Sequence, residues 1–352
     1  MSCVHVVVPA GLDDPSRPSG GNHYDRRVCD GLRARGWTVR EHPVAGGWPH
    51  PSAADRDALS LLLSRIPDGA RVLVDGLIAS ADTGPVSEQG ERLRFVVLVH
   101  LPLGAGLTAD PSAYASESTV LAAARAVVTT SRWTRQVLVS DYPLDPATVH
   151  VAAPGVDPAP GATGTPQGGE LLCVAAVVPH KGHDLLLAAL SDVRDRPWRL
   201  TCVGALDLAP GHVDALRRQA ARSGIADRVT FLGPRTGADL QRAYAGSDVL
   251  VSASRGETFG MVVTEALAHG LPVIATEVGG LAEALGRTAH GVLPGLLVPP
   301  DDSAALARSL RSWLSDDGVR RALRLAAGER RSTLTDWSTT AEQVARVLAR
   351  VA

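Results

Sequence analysis

Short apolar runs alternate with stretches of helical periodicity along this chain, and the alternation occurs twice. In the first half the runs fall at 4–8, 38–41, 71–74, 95–99 and 126–130, each bounded by turn residues. Strands covered by helices on both faces read as near-continuous apolar runs of this kind, so a parallel sheet is expected. Helical patterns lie between them: Tyr24, Val28 and Leu32 recur at helical spacing with Asn22 as an N-cap, and further patterns cover 53–65 and 117–125. A second series of strands is expected at 171–176, 199–203, 229–232, 249–251, 273–275 and 296–298. Between the two series, residues 152–169 read AAPGVDPAPGATGTPQGG, rich in Pro and Gly with almost no core formers, which marks an interdomain linker. The last segment, 336–352, is one amphipathic helix. The fold class is therefore α/β, with two Rossmann-like, doubly wound parallel-sheet domains facing across a cleft.

Within that frame, residues 252–270 (SASRGETFGMVVTEALAHG) concentrate the chemistry. A strand ends in a small-residue loop that opens into a helix. Unpaired amides and the positive end of the helix dipole favour an anion there. Glu265 lies about five residues into the helix, roughly 7.5 Å along its axis, where a carboxylate can meet a ribose. Glu257, ahead of the helix, faces what lies beyond the phosphates. The layout suits a nucleotide sugar, and an ordinary helix with one capping and one solvated glutamate fits the same spacing.

Other strand ends carry their own candidates. Gly20 and Gly21 follow the first strand and let backbone amides approach a ligand. Asp75 and His100 each follow a strand directly, at the carboxyl edge where open α/β sheets bind ligands. Ser131 closes the run at 126–130 and reads first as an N-cap.

The 352 residues allow two ordinary domains, and 45% hydrophobic with 20% charged residues is a globular balance. A net charge of −2 gives no general attraction to nucleic acid or to an anionic membrane. Arg26, Arg27, Arg33 and Arg35 form a small basic patch, consistent at most with peripheral membrane contact. Cys3, Cys29, Cys173 and Cys202 lack metal-ligand spacing and read as reduced core thiols. With no apolar run of spanning length, a soluble cytoplasmic protein is expected. Of the 35 Lys and Arg residues only Lys181 is a lysine. A position that keeps Lys against such a bias needs a compact, flexible point charge.

These residues resemble the retaining GT-B glycosyltransferases of family 4, in the glycogen synthase and phosphatidylinositol mannosyltransferase-like superfamily. The resemblance covers nearly the whole chain. It rests on SGG at 19–21, LVHLPLG at 98–104, VVTTSRW at 127–133, APGVD at 153–157, VVPHKGHDLLLAAL at 177–190, FLG at 231–233, SRGETFGMVVTEALAHGLPVIAT at 254–276 and VGGLAE at 278–283. The paired glutamates, with EALAHGLPV after the second, are the most specific part. The resemblance implies that the last helix returns to the first domain, with Trp337 in that contact. The domains are then 1–153 with 335–352, a linker at 154–169, and a nucleotide-sugar-binding domain at 170–334.

Carried over residue by residue, the resemblance implies that Glu257 holds donor-sugar hydroxyls, Phe259 and Gly260 offer amides to sugar and diphosphate, Glu265 binds the ribose and Lys181 the diphosphate. Gly20 and Gly21 would approach the phosphate or the transferred sugar, and His100 would orient that sugar. Asn22, Asp75 and Ser131 are the acceptor-side candidates. The family's Gly-Arg before Pro-x-Lys-Gly is replaced here by Ala175-Ala176, so the clamp arginine is missing. Arg255 is the first candidate substitute, ahead of Arg132 and Arg235.

The expected activity is transfer of a sugar from a UDP- or GDP-linked donor to a hydroxyl acceptor, with attack on the face the nucleotide leaves. Two carboxylates placed as in a retaining hydrolase are not needed, nor is a metal or other cofactor. The alternatives are a pseudo-glycosyltransferase or sugar phosphorylase on the same fold, and an inactive nucleotide-sugar-binding protein.

Overall fold

The computed structural model describes residues 2–14, 18–105 and 110–351. Two compact units divide the described chain. One takes in residues 2–14, Ser19–Gly155 and residues 336–351, and the other is built on Val156–Thr335.

The first unit is a six-stranded parallel sheet. Its strands are β1 (Cys3–Pro9), β2 (Thr38–Val44), β3 (Arg71–Asp75), β4 (Arg94–Val99), β5 (Ala126–Thr129) and β6 (Val149–Val151), in the order β2-β1-β3-β4-β5-β6. Val6 sits between Glu41 on one side and Leu73 on the other. The order reverses between β1 and β3, and such a switch point opens a crevice outside the strands' carboxyl ends. Val72, Val74, Phe95, Val97, Val99 and Val127 form the middle of the core, nearly all of them fully buried.

β6 is not legible as a strand in the sequence. It has three residues, Val-His-Val, too few to show a period. The helix expected at 117–125 spans Pro111–Ala123, because Asp110 caps it and Pro111 occupies its first turn. The first helix spans Gly20–Ala34 and is capped by Ser19, whose hydroxyl accepts the Asn22 amide at 3.5 Å. Asn22 therefore lies inside the helix and is not its cap.

The second unit is also a parallel six-stranded sheet. It comprises β7 (Glu170–Val174), β8 (Arg199–Val203), β9 (Val229–Phe231), β10 (Val249–Ser252), β11 (Val273–Thr276) and β12 (Gly295–Val298), ordered β12-β11-β10-β7-β8-β9. Here the reversal falls between β7 and β10. Residues 156–169 are tied down along this unit. The buried Asp248 carboxylate accepts the hydroxyl of Thr165 at 2.6 Å and the amide of Glu170 at 2.9 Å, and the Trp313 indole donates to the Gly168 carbonyl at 2.7 Å.

The final helix, Trp337–Arg350, packs on Gly20–Ala34. A Cβ on Gly31 would come within 2.4 Å of the Ala341 Cβ, so glycine sets how close these two helices run. Trp337, 6% exposed, has Tyr24 and His23 at its ring edges and the Arg27 guanidinium 5.6 Å from its centroid. The Thr340 hydroxyl donates to the Ala153 carbonyl at 2.8 Å. Among the described residues no helix is long and apolar enough to cross a membrane. Replacing Trp337 with alanine removes the largest apolar contact of this docking and is expected to destabilise the first unit by about 3 kcal/mol. The check is the urea midpoint, which falls while the helical content of the folded baseline stays the same.

Candidate functional site

In the second unit the candidate residues gather at the β7/β10 switch point. Past β7, a turn at Pro179–Lys181 ends on Gly182, whose φ of 68° is left-handed, and the helix His183–Ser191 follows. A Cβ on Gly182 would lie 1.9 Å from the Ala253 carbonyl oxygen. Only glycine lets the turn press against the loop leaving β10. The Arg255 amide then donates to the His180 carbonyl at 2.8 Å, joining the two loops.

The loop after β10 is held from its other side by Gly279 and Gly280. Their Cβ positions would fall 1.8 Å from the Glu257 carbonyl oxygen and 2.2 Å from that of Thr258. The Gly280 amide donates to the Glu257 carbonyl at 2.9 Å. Gly260, at φ 91°, opens the helix Met261–Ala268 without a side-chain cap. Phe259 is buried beside it.

This construction brings Lys181 and Glu257 together, with Nζ donating to Oε1 at 2.6 Å and the Ser254 hydroxyl donating to the same oxygen at 2.9 Å. Lysine and glutamate side chains are 21% and 14% exposed, so the pair is open to a ligand from one side. Glu265 lies one turn into the helix, where its carboxylate accepts the Tyr244 hydroxyl at 2.6 Å. Burial pushes the Glu265 carboxyl up from its ordinary range; the Tyr244 hydrogen bond opposes this and the charge of Asp157 adds to it. Tyr244, which stacks on His269 at 5.1 Å, was not singled out from the sequence, where it reads only as a helix residue in QRAYAG.

Arg255 takes a different part from the expected one. Its Nη1 and Nη2 bind the Asp184 carboxylate at 2.8 and 2.7 Å, Nε binds Asp301 at 2.7 Å, and Nη1 also reaches the Pro179 carbonyl at 2.8 Å. All three guanidinium nitrogens are engaged, so the side chain braces the turn that carries Lys181. A planar fork satisfied in this way acts as a strut between the two loops. Arg255 holds Asp184 below the ordinary carboxylate range.

The first unit has its own cluster at the β1/β3 switch point. Gly20 and Gly21 begin the helix after β1, Asp75 ends β3 and His100 follows β4. His100 Nε2 lies 2.8 Å from Asp25 Oδ1 and 4.0 Å from Asp75 Oδ2. Its ring meets Tyr24 edge-on at 5.2 Å, and a Cβ on Gly21 would stand 3.4 Å from Cδ2. Among the described residues, Asp25, Asp75 and His100 form the one group of three whose donor atoms all lie within 4.8 Å of one another. The imidazole supplies the positive charge that such a group demands. Burial works to lower the His100 pKa, but the charge and hydrogen bond of Asp25, with Asp75 behind, raise it from 6.5 to about 9.

Two acceptor-side expectations change here. Asp75 is 4% exposed, with Oδ1 accepting the Leu77 amide at 2.6 Å and Oδ2 turned toward His100, so it faces inward. Burial and the Asp25 charge push its carboxyl up. Ser131 is fully buried, accepting the Thr134 amide and donating to the Thr134 hydroxyl, both at 2.9 Å. Its hydroxyl caps the helix Arg132–Asp141 and is satisfied, which leaves nothing for an acceptor. The Asn22 side-chain amide donates to the Gly11 carbonyl at 3.4 Å.

Sequence reasoning also passed over Asp25 and Glu117. Buried Glu117 accepts the amides of Leu103 and Gly104 and the Tyr142 hydroxyl, and so fixes the loop that follows His100. The signal for each was an acid on the apolar face of a helical pattern, four residues or fewer from buried positions.

Comparison with known proteins bears on both units. Residues 168–316 match the family model described as glycosyl transferases group 1. This group 1 segment contains β7 to β12, Lys181 and both glutamates. The chain is 34% identical over 257 residues to the D-inositol 3-phosphate glycosyltransferase of Kineococcus radiotolerans, covering 66% of this chain and 59% of that protein. It is 36% identical over 266 residues to the protein of the same name from Stackebrandtia nassauensis, covering 70% and 58%. It thus spans less than two thirds of the length of these curated relatives. Among solved structures, sucrose-phosphate synthase from Thermosynechococcus elongatus superposes with a TM-score of 0.80 at 21% identity, covering 99% of each chain. Anabaena HepE in complex with UDP and glucose gives 0.79 at 18%, covering 99% of this chain and 100% of that one. The two parallel six-stranded sheets are those of the GT-B glycosyltransferase fold.

The raised His100 pKa has a sign that can be measured. The folded state binds this proton more tightly than the unfolded chain, so its contribution is complete below pH 6.5 and is lost as the pH rises through about 9. The raised Asp75 carboxyl acts in the same direction at lower pH. Urea unfolding, followed by intrinsic tryptophan fluorescence, is expected to show a lower midpoint at pH 9.5 than at pH 6.5. The fall is expected to shrink in His100→Asn, and a fall of the same size in that variant refutes the assignment.

Proposed function

We propose that this chain is a retaining glycosyltransferase of family 4, which moves a sugar from a nucleotide diphosphate sugar to a hydroxyl acceptor. The observation that carries the reading is the Lys181–Glu257 pair, 2.6 Å apart at the carboxyl end of the β7/β10 switch inside the group 1 segment. A diphosphate competes for the lysine and a sugar hydroxyl competes for the glutamate, so a nucleotide sugar replaces one ion pair with two ligand contacts. Glu265 takes the ribose hydroxyls, and the uncapped start of Met261–Ala268 receives phosphate oxygens. Solved relatives in complex with UDP and UDP-glucose make a UDP-linked donor the first to test, with GDP-linked donors next. The curated relatives' name makes a phosphorylated polyol the first acceptor to test.

In the reaction the bond between the anomeric carbon and the phosphate oxygen breaks while the acceptor oxygen bonds that carbon from the same face. The acceptor proton passes to the departing phosphate oxygen. Lys181 and the helix amides stabilise the charge that develops on the leaving diphosphate, so no metal ion is called for. Phe259 and Gly260 are assigned to the sugar and diphosphate. Gly20, Gly21 and His100 are assigned to the sugar and phosphate, and Asn22 remains an acceptor-side candidate. A cytoplasmic setting with at most peripheral membrane contact belongs to the same reading.

Lys181→Ala is expected to reduce turnover by roughly 100-fold or more, the scale of losing one stabilising group at a leaving oxyanion. The fold is expected to hold, because the Ser254 hydroxyl still donates to Glu257. Product analysis by mass, with donor and acceptor panels, checks both the activity and its class. Nucleoside diphosphate plus glycoside is the expected outcome. Release of sugar 1-phosphate from a glycoside and inorganic phosphate would instead make it a phosphorylase, and thermal stabilisation by donors without turnover would make it a binding protein.

A further inference from the structure

The buried cluster behind His100 has no counterpart among the roles assigned so far. Asp25 is 2% exposed, on the inward face of Gly20–Ala34, and its Oδ2 has no hydrogen-bond partner. Neither Asp25 nor Asp75 has an arginine or lysine ion pair among the described residues; His100 is the cation available to both. An unpaired buried carboxylate is costly, and a hydrogen-bonded opposite charge offsets that cost. Two carboxyl groups against one imidazole give the ring every reason to keep both its protons.

The ring is also immobilised. Asp25 holds Nε2, Tyr24 meets one side edge-on, and Gly21 lies alongside, a Cβ there reaching van der Waals contact with Cδ2 at 3.4 Å. Nδ1 makes no hydrogen bond among the described residues, and 13% of the side chain is exposed. With Nε2–H directed at a carboxylate, what Nδ1 can do depends on charge: a neutral ring presents a lone pair there, and a charged ring presents a second N–H.

We propose that Asp25, backed by Asp75, is a positioning residue that holds His100 as a fixed hydrogen-bond donor, so that Nδ1–H acts on an oxygen atom of the bound substrate and the ring does not serve as a base. Tyr24, Asp25 and Asp75 are the titratable groups that face the ring, from the helix after β1 and from the end of β3. Asp25 fixes the geometry and sets the charge, and Asp75, pushed up to about 7 by burial and the Asp25 charge, adds a second negative charge once it has ionised above that pH. The proposal rests on the reading of this edge as the one that handles the sugar, but its first test is independent of that reading.

The first test is the ¹⁵N spectrum of His100 in the wild-type protein, assigned by comparison with His100→Asn. At pH 7.5 both ring nitrogens are expected to be protonated, and a neutral imidazole at that pH overturns the proposal without recourse to any further variant. Asp25→Asn keeps the shape and removes the charge. It is expected to bring the midpoint of His100 titration down by more than one pH unit, whereas an unchanged midpoint also overturns the proposal. Where transfer is measurable, Asp25→Asn lowers kcat roughly 10–100-fold, the scale of a misplaced reacting group, with little change in donor KM. The alkaline limb of its pH profile moves to lower pH with the imidazole. A loss confined to thermal stability, with kcat and the profile unchanged, reduces Asp25 to a structural acid. If His100 titrates as expected in both proteins while no donor is turned over, the positioning stands and the proposed activity falls.

Discussion

Backbone meeting backbone, with no side chain between, is what the candidate site of the second unit depends on. Gly182 lies against the Ala253 carbonyl, and Gly279 and Gly280 against those of Glu257 and Thr258, each closer than any Cβ allows. These contacts grip the loop after β10 from two sides, and the loop in turn carries Ser254, Glu257 and the start of the helix at Met261. A methyl group at any of the three positions would stand 1.8–2.2 Å from a carbonyl oxygen and force the loop away. The distance between Lys181 and Glu257 is thus set by residues that have no chemistry of their own. Arg255 adds a third hold, tying the turn through Pro179 and Asp184.

Much of this was legible in the sequence for a physical reason. A buried parallel sheet needs apolar runs, its crossovers need helical periods, and both patterns are local, so eleven of the strands and both switch-point loops could be read from neighbouring residues. The lone lysine also stood out, because the chain otherwise uses arginine for its cations. What was not legible is what distance in sequence conceals. Asp25 and His100 are 75 positions apart, and Glu117 meets Leu103 from 14 positions away. Arg255 beside Glu257 looked available because nothing local reveals that Asp184 and Asp301 converge on it. Ser131 and Asp75 stood at the right edge of the sheet, but whether a side chain at an edge points out or in is decided by packing and not by position.

The two units solve the same problem with opposite resources. Each reverses its strand order and gathers polar groups at the gap. In the second unit a cation and a carboxylate neutralise one another while remaining reachable. In the first, two carboxyl groups surround one imidazole, and the arrangement is nearly closed. The former can exchange its partner for a ligand, and the latter keeps its partner and presents only the far side of the ring.

The docking of Trp337–Arg350 has a consequence for synthesis. The helix that covers Tyr24, His23 and Gly31 is encoded some three hundred residues after them, beyond the whole of the second unit. Domains fold as units as they emerge from the ribosome, N-terminal parts first. Here the part that begins first is finished last. Until its closing helix arrives, the first unit carries an uncovered apolar strip, while the second, complete by Thr335, can already be folded. The first unit is therefore discontinuous in sequence, and the strip over Tyr24 and Gly31 is covered only by a segment made after the second unit.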